Sequence, residues 1–155
     1  MRVLLAEFAT AHDPALALEG AAMLAVLQTS FGRCGYAIVN PGPGDFGAEI
    51  ARLAPSCDYG LVIAPDHLLA RYTMLVEQFT NNIGCGSTSA AICANKLTAA
   101  KILRSHGNPV PDEPGAGKRV VKPVSGCGAS GVRLTEKPAG NGEFSQQYID
   151  GEHLS

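Results

Sequence analysis

The chain has 155 residues, 46% hydrophobic and 17% charged, with a formal net charge of −2 at pH 7. That length holds one ordinary domain or two small ones, and the apolar share can fill a core. With no basic block and no apolar run of membrane-spanning length, neither a nucleic-acid partner nor a membrane partner is expected.

Val3-Leu4-Leu5-Ala6 opens the chain as a buried-strand pattern, and Glu7 falls where the apolar core of an export signal would continue. A cytoplasmic location is therefore expected. The five cysteines, Cys34, Cys57, Cys85, Cys93 and Cys127, form no Cys-x-x-Cys pair, and the expectation is reduced thiols used for packing. Asp13-Pro14 predicts a helix start, a side-chain cap followed by proline at the first helical position. Its apolar residues run from Leu16 to Phe31, and Gly32 or Gly35 ends it. Tyr36–Val39 reads as a second strand, Phe46–Leu53 as a short helix, Tyr59–Ala64 as a third strand and Leu68–Phe79 as a helix. Ile83 is a candidate for one more short strand. Strand and helix in alternation predict a parallel sheet covered by helices. Such sheets bind ligands beyond the carboxyl ends of their strands, where Glu7 and Asp66 lie. Both are candidate substrate contacts, against the plainer reading of a cap or a solvated acid.

From Ser87 the texture changes. Ser87 or Ser89 caps a short helix, and Lys96–Arg104 forms the next, closed by Gly107. Residues 108–117 are a linker rich in proline and glycine. Arg119–Pro123 is a strand, and Gly126-Cys127-Gly128-Ala129-Ser130-Gly131 follows it. These glycines fit Gly-x-Gly-x-x-Gly, the dinucleotide fingerprint, which needs a helix after them. Val132-Arg133-Leu134-Thr135 alternates instead and reads as a strand. The loop is thus expected to be a hairpin flap, and beside Lys122 it points to ATP rather than NAD. Cys127 has no histidine or acid near it in sequence to activate it as a nucleophile. Phe144–Ile149 is a final strand, followed by a turn at Asp150-Gly151. Glu152-His153 makes a poor metal pair, since adjacent strand residues point to opposite faces. No metal-ligating set and no catalytic residue is singled out.

Four features stand in order: Asn95-Lys96 opening a helix, Val120-Val121-Lys122-Pro123, the flap from Ser125 to Gly131, and Gln146-Gln147-Tyr148-Ile149-Asp150-Gly151-Glu152. With Val110-Pro111 before the linker, this set resembles the ATP-grasp superfamily of ligases. The implied fold is α/β, with a pre-ATP-grasp parallel domain over residues 1–86. The N-terminal α+β subdomain of the grasp would occupy 87–155, and its C-terminal half would lie outside this chain. The resemblance implies that Lys96 and Lys122 contact ATP phosphates. It also implies that Ser125, Gly126, Cys127, Gly128, Ala129, Ser130 and Gly131 donate backbone N–H groups to them. The main chain of Gln147, Tyr148 and Ile149 would meet the adenine edge, with Tyr148 packed on the other side of the strand, and Glu152 would accept from the ribose. Mg2+ ligands are expected outside this chain, which alone is expected to lack turnover.

Glu7-Phe8-Ala9-Thr10, Glu19-Gly20-x-x-Met23-Leu24 and Asp58-Tyr59-Gly60-Leu61-Val62-Ile63-Ala64-Pro65 resemble the tyramine–glutamate ligases of methanofuran biosynthesis and their methylotroph relatives. That likeness implies an ATP-dependent carboxylate–amine ligase of cofactor biosynthesis, acting through an acyl phosphate. The partners would be small-molecule carboxylate and amine substrates, glutamate with tyramine or tyrosine, and a homodimer is left open. The alternatives are a non-catalytic nucleotide-binding or regulatory module and an NAD-type oxidoreductase, the second supported only by the glycine spacing.

Overall fold

The computed structural model describes residues 1–126 and 129–151. The chain divides into two compact units, Met1–Ala91 and Ile92–Ser155.

In the first unit the elements are β1 (Arg2–Glu7), α1 (Ala9–His12), α2 (Ala17–Arg33), β2 (Ala37–Val39) and α3 (Phe46–Leu53). A 3-10 turn (Ala54–Ser56), β3 (Tyr59–Ile63), α4 (Asp66–Phe79) and β4 (Asn81–Asn82) complete it. The strands form one parallel sheet in the order β2-β1-β3-β4. Central β1 is covered on both faces, which is why Val3, Leu4, Leu5 and Ala6 run without alternation and are at most 1% exposed. Leu4 and Ala6 pack with Phe46 and Ile50 of α3, Val62 of β3, and Tyr72 and Val76 of α4. Asp45 caps α3, accepting the Ala48 N–H at 2.7 Å.

The helix expected from Asp13 begins instead at Ala17, with Leu16 at its cap and no side-chain cap bond. Residues 9–12 already form α1, whose first N–H groups Glu7 accepts. Asp13 is thereby left to close a turn, its carboxylate accepting the Ala15 N–H at 3.1 Å. The helix end fits the reading: α2 stops at Arg33 and Gly35 takes φ +79°.

The boundary between the units falls within α5 (Ser87–Ala94). The second unit continues with α6 (Lys96–Ser105), a connection without regular structure, β5 (Arg119–Pro123), β6 (Arg133–Thr135) and β7 (Glu143–Gln147). Its sheet is antiparallel, in the order β6-β5-β7. Val121 on central β5 is fully buried. Arg133 of β6 and Glu143 of β7 reach across the end of β5 in a bidentate pair at 2.5 and 2.8 Å. The guanidinium and the Gly140 N–H hold the Glu143 carboxyl down at about 2. The two outer strands are thus clasped on either side of the strand that leads into the glycine loop.

Candidate nucleotide-binding site

Asn95 begins the site. Its side chain accepts the Thr98 N–H at 2.9 Å and caps α6, so Lys96 is the first helical residue. The Lys96 N–H donates to the Val124 carbonyl at 2.8 Å, and its ammonium donates to the Gly126 carbonyl. Helix start and loop start are therefore joined twice by one residue.

Alternation along β5 buries Val121 and sends Lys122 to the other face, where its Nζ lies 5.3 Å from the centre of the Phe144 ring. Phe144 is its cross-strand neighbour in β7. Burial, and then the like charge of Lys96, push the Lys122 pKa below its ordinary value. Among the described residues neither lysine has a carboxylate at ion-pair distance. Both line a cleft of about 310 Å3 with Phe144 and Gln146. A neighbouring cleft of about 470 Å3 shares Phe144 and Gln146, but its cations are Lys101, Arg104 and Arg119. It is the larger, yet Arg104 is already engaged by Asp112 and the Pro111 carbonyl. The lysine pair is the better anion site.

The glycine loop joins β5 to β6 as a hairpin, with no helix after Gly131. Ser125, Gly126, Ala129, Ser130 and Gly131 are all exposed. Gly126, Ala129 and Gly131 take φ of +122°, +55° and +73°, backbone conformations that favour glycine. Among the described residues none of these five N–H groups donates a hydrogen bond. A Cβ on Gly131 would lie 2.9 Å from Cγ of Pro123, so glycine is required where the loop closes on β5. Cys127 and Gly128 lie outside the described residues, as does Glu152.

The last expected strand is shorter than its pattern. β7 ends at Gln147, whose N–H donates to the Asp112 carbonyl at 2.8 Å and is thus already committed. Tyr148 and Ile149 lie past the strand end, 41% and 64% exposed. Rather than packing on the far side of the strand, Tyr148 donates its hydroxyl to Asp150 at 3.2 Å.

The two acids of the first unit separate. Glu7 is the last residue of β1, 8% exposed, and accepts the N–H groups of Ala9 at 2.6 Å and Thr10 at 3.0 Å. It is a cap. It also lines a cleft of about 240 Å3 beyond the ends of β1 and β2, with His12, Asn40 and Phe46. A Cβ on Gly20 would lie 2.2 Å from the Glu7 carboxylate, so α2 needs glycine there. Asp66 is the first residue of α4, half-buried, where it favours the helix dipole, and it does not line that cleft. Sequence reasoning missed His12, whose ring stacks on Phe8 at 4.8 Å and whose Nε2 is buried without a partner. Its position five residues after a strand-end acid was the available signal.

Two ammonium groups beside an exposed glycine loop suit a polyphosphate. Mg2+ fits less well: among the described residues no three histidines, cysteines or acids stand together as metal ligands. Among them, too, no helix is long and apolar enough to cross a membrane.

Residues 93–155 match the family model described as an ATP-grasp domain. The chain is similar in structure to an ATP-grasp superfamily protein from Archaeoglobus fulgidus, at a TM-score of 0.76 and 23% identity over 97% of this chain and 54% of that one. It is also similar to an L-amino acid ligase from Bacillus licheniformis, at 0.60 and 16% over 97% and 45%. No curated protein matches the chain. The chain spans about half the length of these solved relatives. Residues 93–155 are thus similar to an ATP-grasp domain, and the chain shares the α/β fold of these solved structures over about half of their length.

Proposed function

We propose that this chain is the ATP-binding part of an ATP-dependent carboxylate–amine ligase, with residues 1–86 as the preceding α/β domain and 87–155 as the nucleotide-binding part. The observation that carries this is the Lys96–Lys122 pair beside a glycine hairpin, two cations with no carboxylate partner among the described residues. In such a ligase a substrate carboxylate oxygen attacks the γ-phosphorus of ATP and ADP leaves. The amine then attacks the acyl carbon and phosphate departs. The lysines hold the phosphates and offset their charge, and the loop amides of Ser125, Gly126 and Ala129–Gly131 orient them. No step is assigned to Mg2+.

The neighbour that is an L-amino acid ligase supports an amino acid as the carboxylate, and glutamate joined to tyramine or tyrosine is the specific reading. Glu7 and His12 face one cleft and suit a substrate ammonium or hydroxyl, while Asp66 stands apart from them. An NAD-dependent oxidoreductase loses its support, because β6 rather than a helix follows Gly131.

Calorimetry with ATP and with a non-hydrolysable analogue tests the nucleotide site, and phosphate release in the presence of glutamate and an aromatic amine tests the ligase. Nucleotide binding that is weakened in Lys122→Ala is the expected result. Undiminished binding by that variant overturns the site. Binding without amine-dependent release by the full-length protein would favour the non-catalytic module.

A further inference from the structure

Helix α2 carries two seams. Gly20, Leu24, Leu27 and Phe31 are spaced four, three and four residues apart and are buried or half-buried, as α2 packs on β1, β2 and α1. On the opposite side Ala22, Met23, Val26, Thr29 and Ser30 are all exposed, Val26 by 66% and Met23 by 48%. A surface helix ordinarily places its charges there. In α2 the only charged residues are Glu19 and Arg33, and residues 20–32 carry none. The hydroxyls of Thr29 and Ser30 donate to the Ala25 and Val26 carbonyls of the same helix, each at 2.9 Å. Their donors are satisfied without water.

Residues 19, 22, 26, 29 and 33 step by three, four, three and four, the spacing of a coiled-coil seam. Glu19 and Arg33 each lie seven residues from Val26. We infer that this outer face is a self-association surface, occupied by α2 of a second copy of the chain, antiparallel about a two-fold axis at Val26. That register sets Glu19 of each copy against Arg33 of the other, at both ends. Between them Ala22 faces Ser30, Met23 faces Thr29, and Val26 meets its own symmetry mate, as a two-fold interface requires. A parallel pair would instead oppose like charges. Glu19 and Arg33 also complement the dipole of their own helix, but that does not call for an uncharged stretch between them. The small side chains allow an interaxial distance of about 8 Å. One helix pair covers less area than a standard interface, so a micromolar or weaker dimer is expected. The surface belongs to the first unit and is independent of the nucleotide reading.

Sedimentation equilibrium of the full chain across the micromolar range tests this. A reversible monomer–dimer equilibrium is expected. Val26→Asp places two carboxylates on the axis and should weaken the dimer about tenfold or more. Glu19→Lys and Arg33→Glu should each weaken it, and the double reversal should restore it. Circular dichroism checks that each variant is folded. A chain monomeric throughout, a dimer indifferent to Val26→Asp, or a double reversal no better than the single variants overturns the inference.

Discussion

Lys122 sits at the end of β5 with its charge partly withdrawn from water and another lysine facing it. An anion bound between the two relieves both costs. Lys122→Ala should therefore weaken ATP binding by about 1.5–3 kcal/mol, the scale of a charge-assisted hydrogen bond. Lys137, exposed in the turn after β6, is the control, and Lys137→Ala should leave affinity unchanged within error. Lys101 is a poorer control, because it lines the neighbouring cleft. Calorimetry on the two variants decides it, and equal losses would remove Lys122 from the site.

The same residue gives a pH dependence. The folded-state pKa of Lys122 lies below its ordinary 10.5. Protonation is then easier in the unfolded chain, so the residue destabilises the fold where it is charged. That penalty fades as pH rises through the lowered folded value toward 10.5. Bound phosphate favours the charged form, so ATP affinity should fall with rising pH earlier than an ordinary lysine would dictate, with proton uptake on binding. Calorimetry in buffers of different ionisation enthalpy reads that uptake. Its absence in the alkaline range would mean that Lys122 does not face the nucleotide.

At the scale of elements, local signals were legible where one residue settles them. Asn95-Lys96 opens α6 as its sequence implies, with Asn95 as the cap, and the helix over Phe46–Leu53 agrees with its pattern to the residue. The alternation after Gly131 correctly predicts β6. What failed depended on distant partners. Asp13-Pro14 carries a sound start signal, but Glu7 accepts the N–H groups that open α1 upstream of it. The strand reading of Tyr148 and Ile149 followed side-chain type, whereas β7 stops where its pairing with β5 ends, at Gln147 opposite Arg119. Glu143 is half of the clasp with Arg133, a partner ten residues away that no local pattern announces. Of the candidate site, the order of the lysines and the loop singled them out in the sequence, and the structure brings Lys96 and Lys122 to one cleft; His12 was not legible, because its burial is tertiary. Two substitutions probe this scale. Asp45→Ala should destabilise the first unit by about 1 kcal/mol in denaturant titration. Gly131→Ala combines a φ of +73° with a Cβ 2.9 Å from Pro123. It should cost about 1–3 kcal/mol and weaken ATP binding, whereas an unaltered affinity would show that the hairpin does not shape the phosphate site.

For the whole molecule, the distinction between a triphosphate and a dinucleotide is the sharpest. ATP offers a run of three phosphates to two lysines and a row of exposed amides. NAD offers two, and relies on a helix start that this loop lacks, since the chain turns directly into β6. A ligand that binds only the folded state raises stability by mass action, by about 2.7 kcal/mol at a hundredfold excess over Kd. In a chain of this length that corresponds to a rise in Tm of roughly 5–10 °C. A melting series with ATP should show the shift, and NAD at equal concentration should show little or none. The proposed attraction rests on the charges of Lys96 and Lys122, so the ATP shift should shrink as ionic strength rises. Equal protection by the two ligands, or an ATP shift untouched by Lys122→Ala, would mean that the glycine hairpin and its lysines are not where the nucleotide binds.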